Sequence, residues 1–223
     1  MAKLTWDNTG ERFYETGVKN VALYVFDNTS KQYKDGVAWN GVTAISESPS
    51  GAEPTALYAD DKKYLNLLSA EEFAASIEAY TYPDEFAECD GSASLVAGVT
   101  VGQQTRSKFA LAYKTTIGND EAGNSLGYKL HIIYNCLAAP SEKAYNTIND
   151  SPEAITFSWE ISTTPVTFTA EDKEYSTACI TIDSRKVDKT KLETLETKLF
   201  GGTEPDSKPT LVLPDEIYTT LKQ

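Results

Sequence analysis

Apolar and polar residues alternate with a period of two along most of this chain, and that period predicts strands. The strongest run is Val18 to Asp27 (VKNVALYVFD), which puts Val21, Leu23 and Val25 on one face and Ala22, Tyr24 and Phe26 on the other. Both faces are apolar. The strand therefore needs cover twice, by its own core and by a second layer or a neighbouring subunit. Lys108–Thr116, Gly127–Leu137, Ala154–Thr163 and Tyr175–Asp183 are further strand candidates, separated by clusters of Gly, Asn, Asp or Pro. In Ala154–Thr163, Ile155, Phe157, Trp159 and Ile161 form a core face, while Thr156, Ser158, Glu160 and Ser162 form a small polar one. In Gly127–Leu137 the same rule groups Tyr128, Leu130, Ile132, Tyr134 and Cys136, and leaves His131 beside Lys129, Ile133 and Asn135.

The remaining segments punctuate this pattern. Gln32–Trp39 and Gly41–Ser48 read as a hairpin region, with Asn40-Gly41 a better tight turn than Asp35-Gly36. Between Glu47 and Lys63, two prolines, a glycine and a run of charges break any period, so residues 47–63 read as a long loop whose tip carries Leu57 and Tyr58. Apolar residues at such a tip gain nothing from solvent unless another surface covers them. Ser69–Tyr80 fits two templates: a helix with a Ser69/Glu72 capping box and a Phe73, Ile77, Tyr80 stripe, or a strand with Phe73, Ala75, Ile77 and Ala79 inward. The one convincing helix is Asp188–Phe200, with Leu192, Leu195 and Leu199 on a stripe that Gly201-Gly202 ends. The expected organisation is an N-terminal arm (1–17), a mainly β domain (18–200) and a C-terminal arm (201–223) carrying Pro205, Pro209 and Pro214, with a last turn available at Asp215–Leu221.

Charge and chemistry narrow the function classes. A formal net charge of −13 gives the Coulomb term of non-specific DNA binding the wrong sign, which argues against a conventional DNA-binding protein. Cys89, Cys136 and Cys179 are odd in number and far apart, with no Cys-x-x-Cys pair, and read as small buried hydrophobes in a reducing compartment. The N-terminus lacks an apolar signal core and no apolar run approaches the ~20 residues of a membrane span, so a cytoplasmic origin is expected. A single histidine, His131, removes most acid–base schemes, and no Gly-x-Ser-x-Gly elbow is present. Asp84, Glu85, Glu88 and Asp90 miss the spacing of an EF-hand and read as a solvated turn. Gly98 and Gly102 lack the Lys-Ser/Thr of a phosphate loop and suit a bend or bulge. No enzyme activity, catalytic residue, cofactor or metal is expected.

Two strings are distinctive: Ala79–Gly91 (AYTYPDEFAECDG) and Ile148–Val166 (INDSPEAITFSWEISTTPV). Together they resemble the major tail proteins of long-tailed bacteriophages, and the likeness spans most of Val18–Thr181. The resemblance favours the strand for Ser69–Tyr80. It implies a tail-tube-like β-sandwich or partial barrel with one flanking α-helix, whose sheets join between subunits in a hexameric ring. Such rings stack into a tail tube, a structural virion protein through which DNA passes into the host without sequence-specific binding. The implied partners are further copies of the chain, a tape measure protein and tail terminator or baseplate proteins; the implied location is the virion, after assembly in the host cytoplasm. On this reading Leu57, Tyr58, Asp60 and Asp61 are candidates for the contact between rings, and Ser158 and Glu160 for the lumen wall. Competing expectations are a virion decoration or a carbohydrate-binding β-sandwich module, suggested by 13 tyrosines, and an injection-system tube outside a phage.

Overall fold

A computed structural model of the chain describes residues 3–148, 150, 153–204 and 207–222. Asn149, Ser151 and Pro152 of the second distinctive string, and Pro205 of the C-terminal segment, lie outside the described residues. The chain begins with β1 (Phe13–Asp27), on which the short β2 (Gln32–Tyr33) and β3 (Val37–Ala38) both pair. Next come β4 (Val42–Glu47), β5 (Ser50–Gly51) and β6 (Pro54–Ala59), answered by β7 (Lys62–Leu68), β8 (Glu71–Glu72) and β9 (Ala74–Ala79). A 3-10 turn, Asp84–Glu88, leads into the hairpin of β10 (Ala93–Val96) and β11 (Val99–Val101). The long strands β12 (Phe109–Asn119) and β13 (Gly123–Ala138) follow, then β14 (Phe157–Thr163), the hairpin β15 (Val166–Ala170) and β16 (Lys173–Thr177), and β17 (Cys179–Asp183). Helices α1 (Lys189–Phe200) and α2 (Pro214–Leu221) close the described chain.

The main sheet is antiparallel and runs β2-β1-β12-β13-β14-β9-β4, with β3 on β1 and β17 on β13. It bends over on itself, because β3 and β4 are consecutive across the Asn40-Gly41 turn yet pair at opposite ends of that order. The inner faces enclose one core, in which Leu23, Phe109, Leu111 and Ile133 meet Ile77, Trp159 and Ile161. The outer face of β1, β12 and β13 holds a second core, where Ala22, Tyr24, Ile132 and Tyr134 pack against Leu192, Leu195, Leu199, Val212 and Ile217. The two-faced β1 of the sequence is thus covered twice within one chain, and the second cover is α1 and the C-terminal segment. Two buried tyrosines fasten that layer. The Tyr24 hydroxyl donates to the Leu199 carbonyl (2.5 Å), one of the carbonyls that a helix C-terminus leaves unpaired, and the Tyr134 hydroxyl donates to the Val212 carbonyl (2.9 Å).

The strand expected over Tyr175–Asp183 is split, its first residues in β16 on β15 and the rest in β17 on β13, and five further local readings change. Two helices flank the sheet instead of one: α2 has Pro214, Asp215 and Glu216 in its first turn, and burial of Ile217 stabilises a helix too short to stand alone. Residues 32–48 are not a hairpin, because β2 and β3 pair with β1 while β4 pairs with β9. Cys136 leaves the Tyr134 face for the inner core: Asn135 sits at φ 48°, and Phe109↔Cys136 against Leu111↔Ile133 marks a bulge that flips the alternation after Tyr134. Asp90 is buried instead of solvated. The fifth change, at residues 47–63, creates the surface described next.

Candidate assembly surface

Residues 42–79 form one long two-stranded ribbon in place of a loop. The ladder of β4 with β9 (Glu47↔Ala75) continues in register through β5 and β8 (Ser50↔Glu72) into β6 and β7 (Thr55↔Leu67). Prolines and charges conceal this at sequence level, but Pro54 opens a strand, where its missing N–H costs little, and Asp60-Asp61 takes φ values of 49° and 58° at the reversal. The inner part of the ribbon belongs to the main sheet; its outer part, from Pro54 to Leu68, packs into neither core. Leu57 is 42% exposed, Tyr58 72%, Tyr64 72% and Leu68 70%. Cross-strand Leu57–Leu65 with Leu67 lies on one face and Leu68 on the other, so apolar groups stand on both faces. A bare two-stranded ribbon is marginal in water, and this one carries its own apolar groups uncovered. All four residues expected to contact the next ring, Leu57, Tyr58, Asp60 and Asp61, lie in its outermost part.

Ser158 and Glu160 lie on the outward face of β14, exposed, with Trp159 and Ile161 inward. Their cross-strand neighbours are Glu78 and Ser76 on β9, and Ser76 in turn faces Ser46 on β4. The outer face of these three strands is therefore small, polar and acidic; no Lys or Arg occurs in β4, β9 or β14.

The two distinctive strings meet physically. Tyr82 stands edge-on to Phe157 (5.4 Å) and Trp159 (5.4 Å), Phe86 is 5.0 Å from Trp159, and Trp39 lies 4.4 Å from Phe86. The Trp159 indole N–H donates to Asp90 Oδ1 (3.0 Å), Lys143 Nζ reaches Asp90 Oδ2 (2.5 Å), and Arg106 lies 3.8 Å from the same carboxylate. A buried carboxylate is tolerable only with such partners. Sequence reading missed Asp90 as the knot of this end because none of its partners is a near neighbour in the chain. The constellation is a structural plug, and Cys89 inside it has its thiol pushed up to about 12, chiefly by burial, which makes it inert.

His131 lies at the opposite end of the inner core, stacked on Tyr113 (4.7 Å). The Thr115 hydroxyl donates to Glu15 (2.6 Å) and lies 2.9 Å from Nε2 of His131. Tyr113 donates to Glu47 (2.6 Å), which lies 3.5 Å from Nδ1 of His131, and Lys129 binds Glu15 (2.5 Å). Hydrogen bonding to His131 is the largest influence holding the Glu47 carboxyl below its ordinary 4.5. At Glu15 burial is the largest influence and acts upward, but hydrogen bonds from Lys129 and Thr115 and nearby positive charge outweigh it, so that carboxyl is lowered too. Both carboxylates thus contribute stability that is fully present above pH 4.5 and lost as the pH falls through their lowered folded values. Glu47→Gln is expected to lower the urea midpoint near pH 7 and to differ less from the unaltered chain near pH 3.5; an equal deficit at both pH values would reject this coupling.

Among the described residues no group of three or more His, Cys, Asp or Glu is placed to hold a metal ion. Comparison with protein-family models and with curated proteins returned no match.

Proposed function

We propose that this chain is a structural subunit that polymerises as stacked hexameric rings into a tail tube, a conduit for DNA. The observation that carries the reading is the outer ribbon, Pro54–Leu68, whose apolar side chains on both faces are uncovered in the single chain. Burying a Leu side chain that now stands in water is worth about 1.5–3 kcal/mol, so several of them favour association strongly. The outer face of β14, β9 and β4 supports the conduit. Ser158 and Glu160 sit on a surface whose strands hold no cation, and such a wall repels phosphates and retains none. The net charge of −13 agrees with passage without binding.

Negative-stain electron microscopy at rising protein concentration, with light scattering, tests the reading. Hollow filaments or stacked rings are expected. Particles that stay monomeric and retain a glycan would favour a carbohydrate-binding module instead. For the wall, Glu160→Lys is expected to leave tubes intact and to slow DNA passage at low ionic strength, where the Debye length is long. Passage at the unaltered rate would remove Glu160 from the lumen.

A further inference from the structure

Among the described residues a second hairpin also exposes several apolar side chains, and the topology sends it and the ribbon from opposite ends of β9. The outer ribbon is inserted between the end of β4 and the start of β9, next to the Ala75↔Glu47 pair. The β10–β11 hairpin follows the other end of β9, where Ala79 pairs with Phe157 and Val42, and precedes the first residue of β12. In this second hairpin Leu95 is 69% exposed, Val96 60%, Val99 47% and Val101 37%.

Its base is fixed although its tip is bare. Gly91–Thr105 contains no charged residue, while Asp90 and Arg106, which bracket it, form an ion pair against Trp159. Gln104 N–H donates to the Gly91 carbonyl (2.9 Å) and Ser107 N–H to the Glu88 carbonyl (3.0 Å). Gly91 is at φ 76°, and a Cβ there would stand 3.2 Å from both the Arg106 side chain and the Gln104 carbonyl. A slack loop needs no such base; a projecting element that must hold its direction does.

We infer that the β10–β11 hairpin of one copy docks on the outer ribbon of the next, so that the two hairpins are the two halves of one head-to-tail interface. This deepens the tube reading and rests on it. Two unlike apolar surfaces at opposite ends make a contact that does not close on two copies, as an axial stack requires, whereas like-on-like pairing would stop at a dimer. Charge leaves this contact between copies unopposed. Copies that each carry −13 repel, and these two surfaces are neutral: the β10–β11 segment has no charge, and the ribbon tip balances Asp60 and Asp61 with Lys62 and Lys63.

Two double variants test the inference by sedimentation velocity, Leu57→Glu with Leu67→Glu on the ribbon and Leu95→Glu with Val99→Glu on the second hairpin. The matching Thr substitutions, which suit strands, guard against local misfolding, and tryptophan fluorescence from Trp159 reports the core. Each variant alone is expected to stop at single rings at concentrations at least tenfold above those at which the unaltered chain stacks into longer species. Rings of the two variants, formed separately and mixed in equal amounts, are expected to give stacks of two rings and nothing longer, because each supplies the half that the other lacks. If the unaltered chain stacks but either variant alone also stacks, or the mixed rings do not pair, the pairing of the two hairpins is overturned while the tube reading stands. An unaltered chain that stays monomeric to its solubility limit overturns both.

Discussion

Trp159→Ala will cost about 3–5 kcal/mol of folding stability, read as a lower urea midpoint with an unchanged slope. The side chain is fully buried at the centre of the aromatic plug, with Phe86 and Tyr82 stacked edge-on and Phe157 beside it. Truncation removes dispersion contacts on every side and opens a cavity that the sheet cannot collapse to fill, since β14 is held by β9 and β13. It also takes from Asp90 Oδ1 its hydrogen bond with the indole, leaving that buried carboxylate to Lys143 and the more distant Arg106. Trp159→Phe separates the two contributions, because it keeps most of the packing and loses only the donor. A loss under about 1 kcal/mol for the alanine variant would mean that the plug is not the keystone of that end.

Replacing residues 52–70 by Asn-Gly will abolish the stacking of rings and leave the domain folded. The cut falls where Gly51 pairs with Glu71, so the shortened ribbon closes in the same register through a two-residue turn that Asn-Gly favours. No residue between 52 and 70 belongs to either buried core, and the folding free energy is expected to change by no more than about 0.5 kcal/mol. The assembly readout is all or none, because the excision removes Leu57, Tyr58, Tyr64, Leu65, Leu67 and Leu68 together. Light scattering that rises with concentration as in the unaltered chain would show that the ribbon is not the contact between rings.

The candidate site was legible in unequal parts. Leu57 and Tyr58 stood out as apolar residues with no local reason to be buried, and Ser158 and Glu160 as the small polar face of an amphipathic strand; both inferences use only neighbours in sequence. The ribbon that carries Leu57 was not legible, since it depends on pairing across the whole of residues 42–79 and its prolines and charges imitate a loop. At sequence level the second hairpin shows only a bend or bulge at Gly98 and Gly102, because the exposure of Leu95, Val96, Val99 and Val101 is a property of where β9 and β12 put its two ends.

Periodicity by itself determined that this protein is mainly β, that Val21–Val25 of β1 is buried on both faces, that Trp159 and Ile161 point inward and that Leu192, Leu195 and Leu199 seat one helix, since each follows from the backbone repeat of a single element. Only the tertiary structure decided what covers the second face of β1, which way Cys136 points after the bulge at Asn135, and that Asp90 is held by Trp159, Lys143 and Arg106. Those outcomes depend on partners distant in the chain. Alternation fixes which side of a strand a residue occupies, but the neighbour it meets there is set by how the sheet folds over.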